Sequence, residues 1–161
     1  LYGAIWAAGE AHGIADFGLY ALNSLRMEKA YRGWGAELTN EVTMLEADMA
    51  RFFGNAKEDF VGKTATETGE AGPLRLVYFE VDAKNADVRG GEPIFLNDTC
   101  IGVTTSGGYG YTVEKSLGFG YVPSAQSVPG SVIDIGLLDA RCRATVLAEP
   151  IYDPANERLA S

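Results

Sequence analysis

Between Leu74 and Asp82 the side chains alternate, with Val77, Phe79 and Val81 pointing one way and Leu76, Tyr78 and Glu80 the other. A period of two belongs to an extended strand and argues against a helix over this stretch. Partners for such a strand follow along the chain. Pro93–Leu96, the Asn97-Asp98 pair and Cys100–Thr104 read as a hairpin, because Asn and Asp suit a tight turn between two apolar runs. Leu117–Val122, Ser131–Ile135 and Cys142–Leu147 extend the pattern. Short strands at near-regular spacing predict a small antiparallel barrel or sandwich over residues 74–161.

Before Pro73 the texture is helical. Leu1, Ile5 and Ala8 share one face of a first helix that His12-Gly13 stops, and a second helix is expected over Tyr20 to Lys29. Thr43-Met44-Leu45-Glu46 has the Thr-x-x-Glu form of a capping box and predicts a short helix through about Met49. Asp59-Phe60-Val61-Gly62-Lys63 then leads into a polar helical turn. Residues 67–73, polar and bearing Gly and Pro, read as a linker between residues 1–66 and the strand-rich part. The fold class is therefore α+β. The opening Leu1-Tyr2-Gly3-Ala4-Ile5-Trp6 reads as the middle of a structural element, so a fragment of a longer protein is expected.

A formal net charge of −9 repels phosphate backbones, and Lys and Arg form no basic stripe, so a small-molecule ligand suits the chain better than a nucleic acid. No apolar run approaches a bilayer-spanning length, and no membrane role is expected. Cys100 and Cys142 have no companion at metal-ligand spacing; they read as buried free thiols of a reducing compartment, and no metal site is expected. His12, the one histidine, sits just before Gly13 and reads as a helix-end residue rather than a catalytic base. Gly107-Gly108-Tyr109-Gly110 lacks the Lys-Ser/Thr of a phosphate loop and reads as a glycine turn between strands.

Several motifs fall in one family order. Phe17-Gly18-Leu19, then Ser24-Leu25-Arg26-Met27-Glu28-Lys29 with Gly33-Trp34-Gly35, then Thr43-Met44-Leu45-Glu46-Ala47 and Lys57-Glu58-Asp59-Phe60-Val61-Gly62-Lys63 resemble the end of the folate-binding domain in the glycine-cleavage T-protein (aminomethyltransferase) superfamily. Gly91-Glu92-Pro93-Ile94, Ile101 to Gly110, Lys115 to Val122 and Pro150-Ile151-Tyr152-Asp153-Pro154 are similar to that superfamily's C-terminal barrel. The Ser-Leu-Arg-x-Glu-Lys wording with Trp-Gly is most similar to the dimethylglycine and sarcosine dehydrogenase branch. Met44 replaces a usual Pro, and Leu22 stands where some members carry a ligand-contacting Arg.

The resemblance implies that residues 1–66 end a folate-binding aminomethyltransferase domain and residues 74–161 form a β-barrel domain. It implies tetrahydrofolate as cofactor, an imine derived from an N-methyl amine as substrate, and FAD only in an N-terminal part that this sequence does not contain. That part, which would also carry the family's catalytic Asp, is the expected partner; no catalytic residue is assigned here. A cytoplasmic location is implied, or the mitochondrial matrix in a eukaryote. Two alternatives stay open: a non-catalytic packing or docking module, and a T-protein or demethylase without a flavin domain.

A pteridine is flat, with apolar faces and a polar edge, so its site needs aromatic walls and hydrogen-bonding groups at the rim. Tyr31 and Trp34 are the candidate walls, the family having an aromatic folate contact at about this place; the alternative is that both pack between the two domains. Arg26 either touches the cofactor or braces neighbouring loops. Lys29 and Arg32 either meet a glutamate tail or lie at a solvated helix end. Tyr109 and Tyr111 are further candidates to reach over the pocket. Among Glu37, Glu41 and Glu46 no carboxylate stands out as a general acid or base, and capping accounts for Glu46.

Overall fold

The computed structural model describes residues 1–53, 57–68, 72–158 and 160. Strands β1 (Leu74–Val81), β2 (Pro93–Leu96), β3 (Thr99–Gly110), β4 (Lys115–Pro123), β5 (Val132–Leu137) and β6 (Ala140–Val146) close an antiparallel barrel in the order β1-β4-β3-β2-β5-β6. Pairing of Phe79–Val81 with residues 144–146 of β6 completes the closure. A barrel rather than a sandwich forms, which leaves no open sheet edge. The Asn97-Asp98 hairpin is present, with Asn97 at φ 55°, a left-handed conformation that Asn tolerates.

The alternation in β1 serves two cores. Val77, Phe79 and Val81 point into the barrel and pack with Ile94, Val122, Ile133, Ile135 and Val146. Leu76 and Tyr78 face outward, yet they are buried too, because Leu117 and Phe119 of β4 join them in receiving Met27 and Ala30 from the helical part. Each fully buried large side chain contributes about 1.5–3 kcal/mol, so this second cluster is a principal bond between the two parts.

Helix α1 (Tyr2–Gly9) runs into a 3₁₀ turn at Glu10–His12 and stops at Gly13, whose left-handed φ of 70° lets its amide reach Glu10 O. None of the residues of α1 is buried. Helix α2 (Leu19–Glu28) lies along the end of β3: Asn23 Nδ2 donates to Gly107 O (2.9 Å), Ser24 Oγ to Tyr109 O (2.7 Å), and the Thr112 amide to Glu28 Oε1 (2.6 Å). Helix α3 (Lys63–Thr68) is the expected polar turn and carries the helix into the first residues of the predicted linker; residues 69–71 of that linker lie outside the described residues. Among the described residues no helix is long and apolar enough to cross a membrane.

Three expectations need correction. The glycine run is strand, not turn: Gly107, Gly108 and Gly110 lie within β3 because α2 and Val88 press on it there. A Cβ on Gly108 would stand 2.9 Å from Asn23 Nδ2, and one on Gly107 2.5 Å from Val88 Cβ. The Thr43–Glu46 capping box forms, Thr43 N donating to Glu46 Oε2 and Glu46 N to Thr43 Oγ1, but no helix follows it. Asp48 turns left-handed (φ 54°) and the Met49 amide closes on Met44 O (2.8 Å), so the chain makes a single turn and does not continue as a helix. The thiols are not buried: Cys100 is exposed on β3, and Cys142 is half-buried on β6, where it packs against the barrel core on the same face as Ala144 and Val146.

Candidate functional site

Helix α2 ends without a glycine. Ala30 adopts φ 52°, the Tyr31 amide bonds to Arg26 O (2.9 Å) and the Ala30 amide to Met27 O (3.0 Å), a Schellman closure that turns Tyr31 back alongside the helix. Tyr31 thereby joins Leu22, Leu25 and Arg26 as one wall of a groove of about 390 Å³. The opposite wall is the C-terminal segment, through Tyr152, Asp153 and Arg158, and Glu28, Lys29 and Thr112 complete the lining. Leu22, Leu25 and Tyr31 are exposed there. Apolar and aromatic faces with cations at the rim suit a flat heteroaromatic molecule bearing an anionic tail.

Arg26 is oriented from behind. Its Nε donates to Asn23 Oδ1 (2.9 Å), and its Nη1 to Tyr31 O (3.2 Å) and to Glu37 Oε2 (3.2 Å). Glu37 is completely buried and is the hub of the region. It also accepts from the Gly33 amide (2.7 Å), Thr105 Oγ1 (2.7 Å) and Ser106 Oγ (2.5 Å). Successive strand residues ordinarily face opposite ways, but a register shift between Thr104 and Ser106 bulges β3 at Thr105, so that both hydroxyls reach one carboxylate oxygen. Tyr121 Oη donates to Glu37 O (2.8 Å), and burial, then the Glu37 charge, pushes its phenol up to about 12. The Arg26–Glu37 pair thus ties the groove wall to the barrel.

The structure separates the remaining candidates. Trp34 lies outside the groove, 77% exposed at the tip of a loop that Gly33 O closes by accepting the Ala36, Glu37 and Leu38 amides. It does not pack between the two parts. Neither Lys29 nor Arg32 is at a solvated helix end: Lys29 is buried among acceptors of the C-terminal segment, and Arg32 pairs with Asp48 at 2.5 Å and donates to Ala30 O. Burial lowers the Arg32 pKa, and Arg51 adds to this while Asp48 opposes it. Arg32 belongs to a separate cleft of about 500 Å³ shared with Arg51 and Arg75 and more polar than the groove. Tyr109 and Tyr111 stack edge to face (5.1 Å) and line a small recess beside Tyr20 and Arg89, not the groove. Glu46 does cap Thr43.

Two contributors were not singled out in the sequence. Glu37 was grouped with two other carboxylates because its hydroxyl partners lie 68 and 69 residues away. Tyr152-Asp153-Pro154 reads locally as the turn by which the chain leaves the last strand, and the role of this segment through Arg158 as a wall comes only from contact with α2.

Two family models match the chain: the glycine cleavage T-protein C-terminal barrel domain over residues 75–153 and the GCVT N-terminal domain over residues 1–57. Mitochondrial dimethylglycine dehydrogenase of Mus musculus is 42% identical over 99% of this chain and 19% of its own length. An aminomethyltransferase of Listeria monocytogenes serotype 4a is 33% identical over 95% of this chain and 43% of its own. The crystal structure of the glycine cleavage system aminomethyltransferase T from Bartonella henselae superposes with a TM-score of 0.81 at 26% identity, covering 95% of this chain and 45% of that one. The chain thus spans about a fifth to under a half of the lengths of the relatives it matches.

Proposed function

The chain belongs to the glycine cleavage T-protein family, and from that premise we propose that it is the C-terminal portion of a tetrahydrofolate-dependent one-carbon transfer protein, of the oxidative demethylase kind that acts on dimethylglycine or sarcosine. Residues 1–66 end the folate-binding domain and residues 74–161 are the barrel that buttresses it. The groove beside α2 is one wall of the folate site. The parent is an enzyme, while this portion supplies binding and no catalytic residue.

One observation carries the reading. Leu22, Leu25 and Tyr31 line the groove and are left exposed, as are Ile5, Phe17 and Leu19 earlier in the chain. An apolar groove left open to solvent marks an interaction site, and the relatives possess further chain with which to cover it. The donor set fits the cofactor: Tyr31 offers a ring for the pteridine, Leu22 and Leu25 bury its face, and Arg26, fixed by Glu37, directs guanidinium donors at the rim. Trp34, bare on its loop, is available to the preceding domain. Tetrahydrofolate supplies nitrogens that take up the one-carbon unit from an imine. The residues of this chain exclude water from one side of it and set its orientation. FAD, where the parent carries it, belongs to the preceding part, and the mitochondrial relatives favour a matrix location in a eukaryotic source.

The test is calorimetric titration of the longer protein and of this chain alone with tetrahydrofolate. Binding by the longer protein and none by the chain alone is expected. Absence of binding by the longer protein would overturn the assignment, and a flavin absorbance band in it separates the demethylase from a flavin-free T-protein.

A further inference from the structure

We propose that Lys29 is a positioning residue for the groove: its buried ammonium holds the C-terminal segment Tyr152–Arg158 in place as the second wall, and through that wall sets the affinity of the site. The inference rests on the groove being the tetrahydrofolate wall, as proposed above.

A lysine at a helix end ordinarily extends its ammonium into water, because desolvating it is costly. Lys29 does the opposite and is 9% exposed. An ammonium has three donors, and three acceptors meet it within four residues of one segment. They are Asp153 O at 2.6 Å, Asn156 Oδ1 at 2.7 Å and Asp153 Oδ2 at 3.3 Å. The other carboxylate oxygen of Asp153 accepts the Glu157 amide (2.8 Å) and the Arg158 amide (3.4 Å), which carries the fixation on to the end of the wall. Just before it, the Tyr152 amide donates to Glu28 O (3.2 Å), so that the last residue of α2 and the one after it grip the segment at successive points.

Within the segment, Arg158 Nη1 reaches Tyr152 Oη (3.4 Å) and the Asn156 amide reaches Asp153 O (3.0 Å), bonds that join the segment to itself rather than to α2. Residues 154–158 are exposed, so they bring no apolar burial to the contact. Asp153 and Asn156 both have left-handed backbone, at φ 46° and 57°. Asp and Asn tolerate that conformation, and both residues present acceptors to the Lys29 ammonium. The same segment contributes Tyr152, Asp153 and Arg158 to the groove. Releasing the ammonium therefore frees one wall of the site while leaving Leu22, Leu25 and Tyr31 where they are.

The experiment uses the full-length protein with Lys29→Met, which keeps the aliphatic stem and removes the donors. Amide hydrogen exchange in peptides spanning residues 152–158 is expected to accelerate by about tenfold or more, with peptides from β1 and β4 unchanged. The tetrahydrofolate Kd is expected to rise about tenfold, and Lys29→Arg, which keeps a cation, to recover part of that loss. Unchanged exchange in residues 152–158 would overturn the proposal, as would faster exchange with an unaltered Kd. If the wild-type protein binds no tetrahydrofolate, the functional reading falls separately, and the exchange result alone decides whether Lys29 holds the segment. Should Lys29→Met fail to fold, Asn156→Ala removes one exposed acceptor and is expected to give a smaller acceleration in the same peptides; no acceleration there would refute the clamp.

Discussion

Replacing Glu37 by Ala removes the acceptor on which the loop at Gly33, the guanidinium of Arg26 and the bulge of β3 converge. Four hydrogen bonds go at once, from Arg26 Nη1, the Gly33 amide, Thr105 Oγ1 and Ser106 Oγ. Truncating one partner of a buried ion pair costs about 3–5 kcal/mol, a large part of the roughly 5–15 kcal/mol that holds an ordinary domain. The Arg26 side chain is 21% exposed, so water takes up part of its loss and the lower end, about 3 kcal/mol, is expected. Glu37→Gln keeps the shape and one acceptor oxygen, and the two hydroxyls can rotate to accept from the new amide, so a cost of about 1–2 kcal/mol is expected. Chemical denaturation followed by circular dichroism reads both values as shifts in midpoint at constant slope. Equal costs for the two variants, or a cost for Glu37→Ala below about 1 kcal/mol, the size of an exposed ion pair, would refute the role of Glu37 as a buried hub.

Gly118→Ala would place a Cβ 2.5 Å from the buried Phe79 ring; a loss of about 1–3 kcal/mol is expected, and thermal melts would show it as a lowered Tm. Partial burial raises the Glu92 pKa, but hydrogen bonds from Thr104 Oγ1 and the Arg89 and Gly90 amides outweigh it and hold the carboxyl below its ordinary value. Its stabilising contribution is present above the unfolded value and is lost as pH falls through the lower folded one. Glu92→Gln should therefore flatten the acid decline in stability between about pH 5 and pH 3, and denaturation midpoints across that range check it. For Tyr121 the sign is reversed: the folded pKa of about 12 lies above the ordinary value, so its contribution holds below the unfolded pKa and is lost as pH rises towards the folded one. Tyr121→Phe should reduce the alkaline decline between about pH 9 and pH 11, and identical declines in the two proteins would contradict this.

The barrel was legible because its information is local. The alternation from Val77 to Val81 and the Asn97-Asp98 turn each specify their own conformation, and closure follows once enough strands pair. That β1 buries both faces was not legible, since Leu76 and Tyr78 gain their cover from Met27 and Ala30, far away in the chain. The glycine run misled for the same reason: its small size answers to α2 and Val88 pressing on β3, a demand that no neighbouring residue announces. The capping box was real but could not tell that Asp48 would turn left-handed two residues later. Tyr31, Arg26 and Lys29 came to light through a family motif, whereas the buried contacts of Glu37 and Lys29 did not, because their partners lie as far as 69 and 127 residues away. Polar contacts of that range leave no periodicity to read.

The account turns on the groove beside α2 being a wall of the folate site, and Tyr31 is the side chain through which that can be measured. Calorimetric titration of the full-length Tyr31→Ala protein with tetrahydrofolate should give a Kd about 3- to 10-fold weaker than wild type, the worth of one aromatic contact of roughly 0.5–1.5 kcal/mol, with the binding stoichiometry unchanged. A wild-type Kd in the Tyr31→Ala protein would mean that tetrahydrofolate binds elsewhere and that this groove is no part of its site.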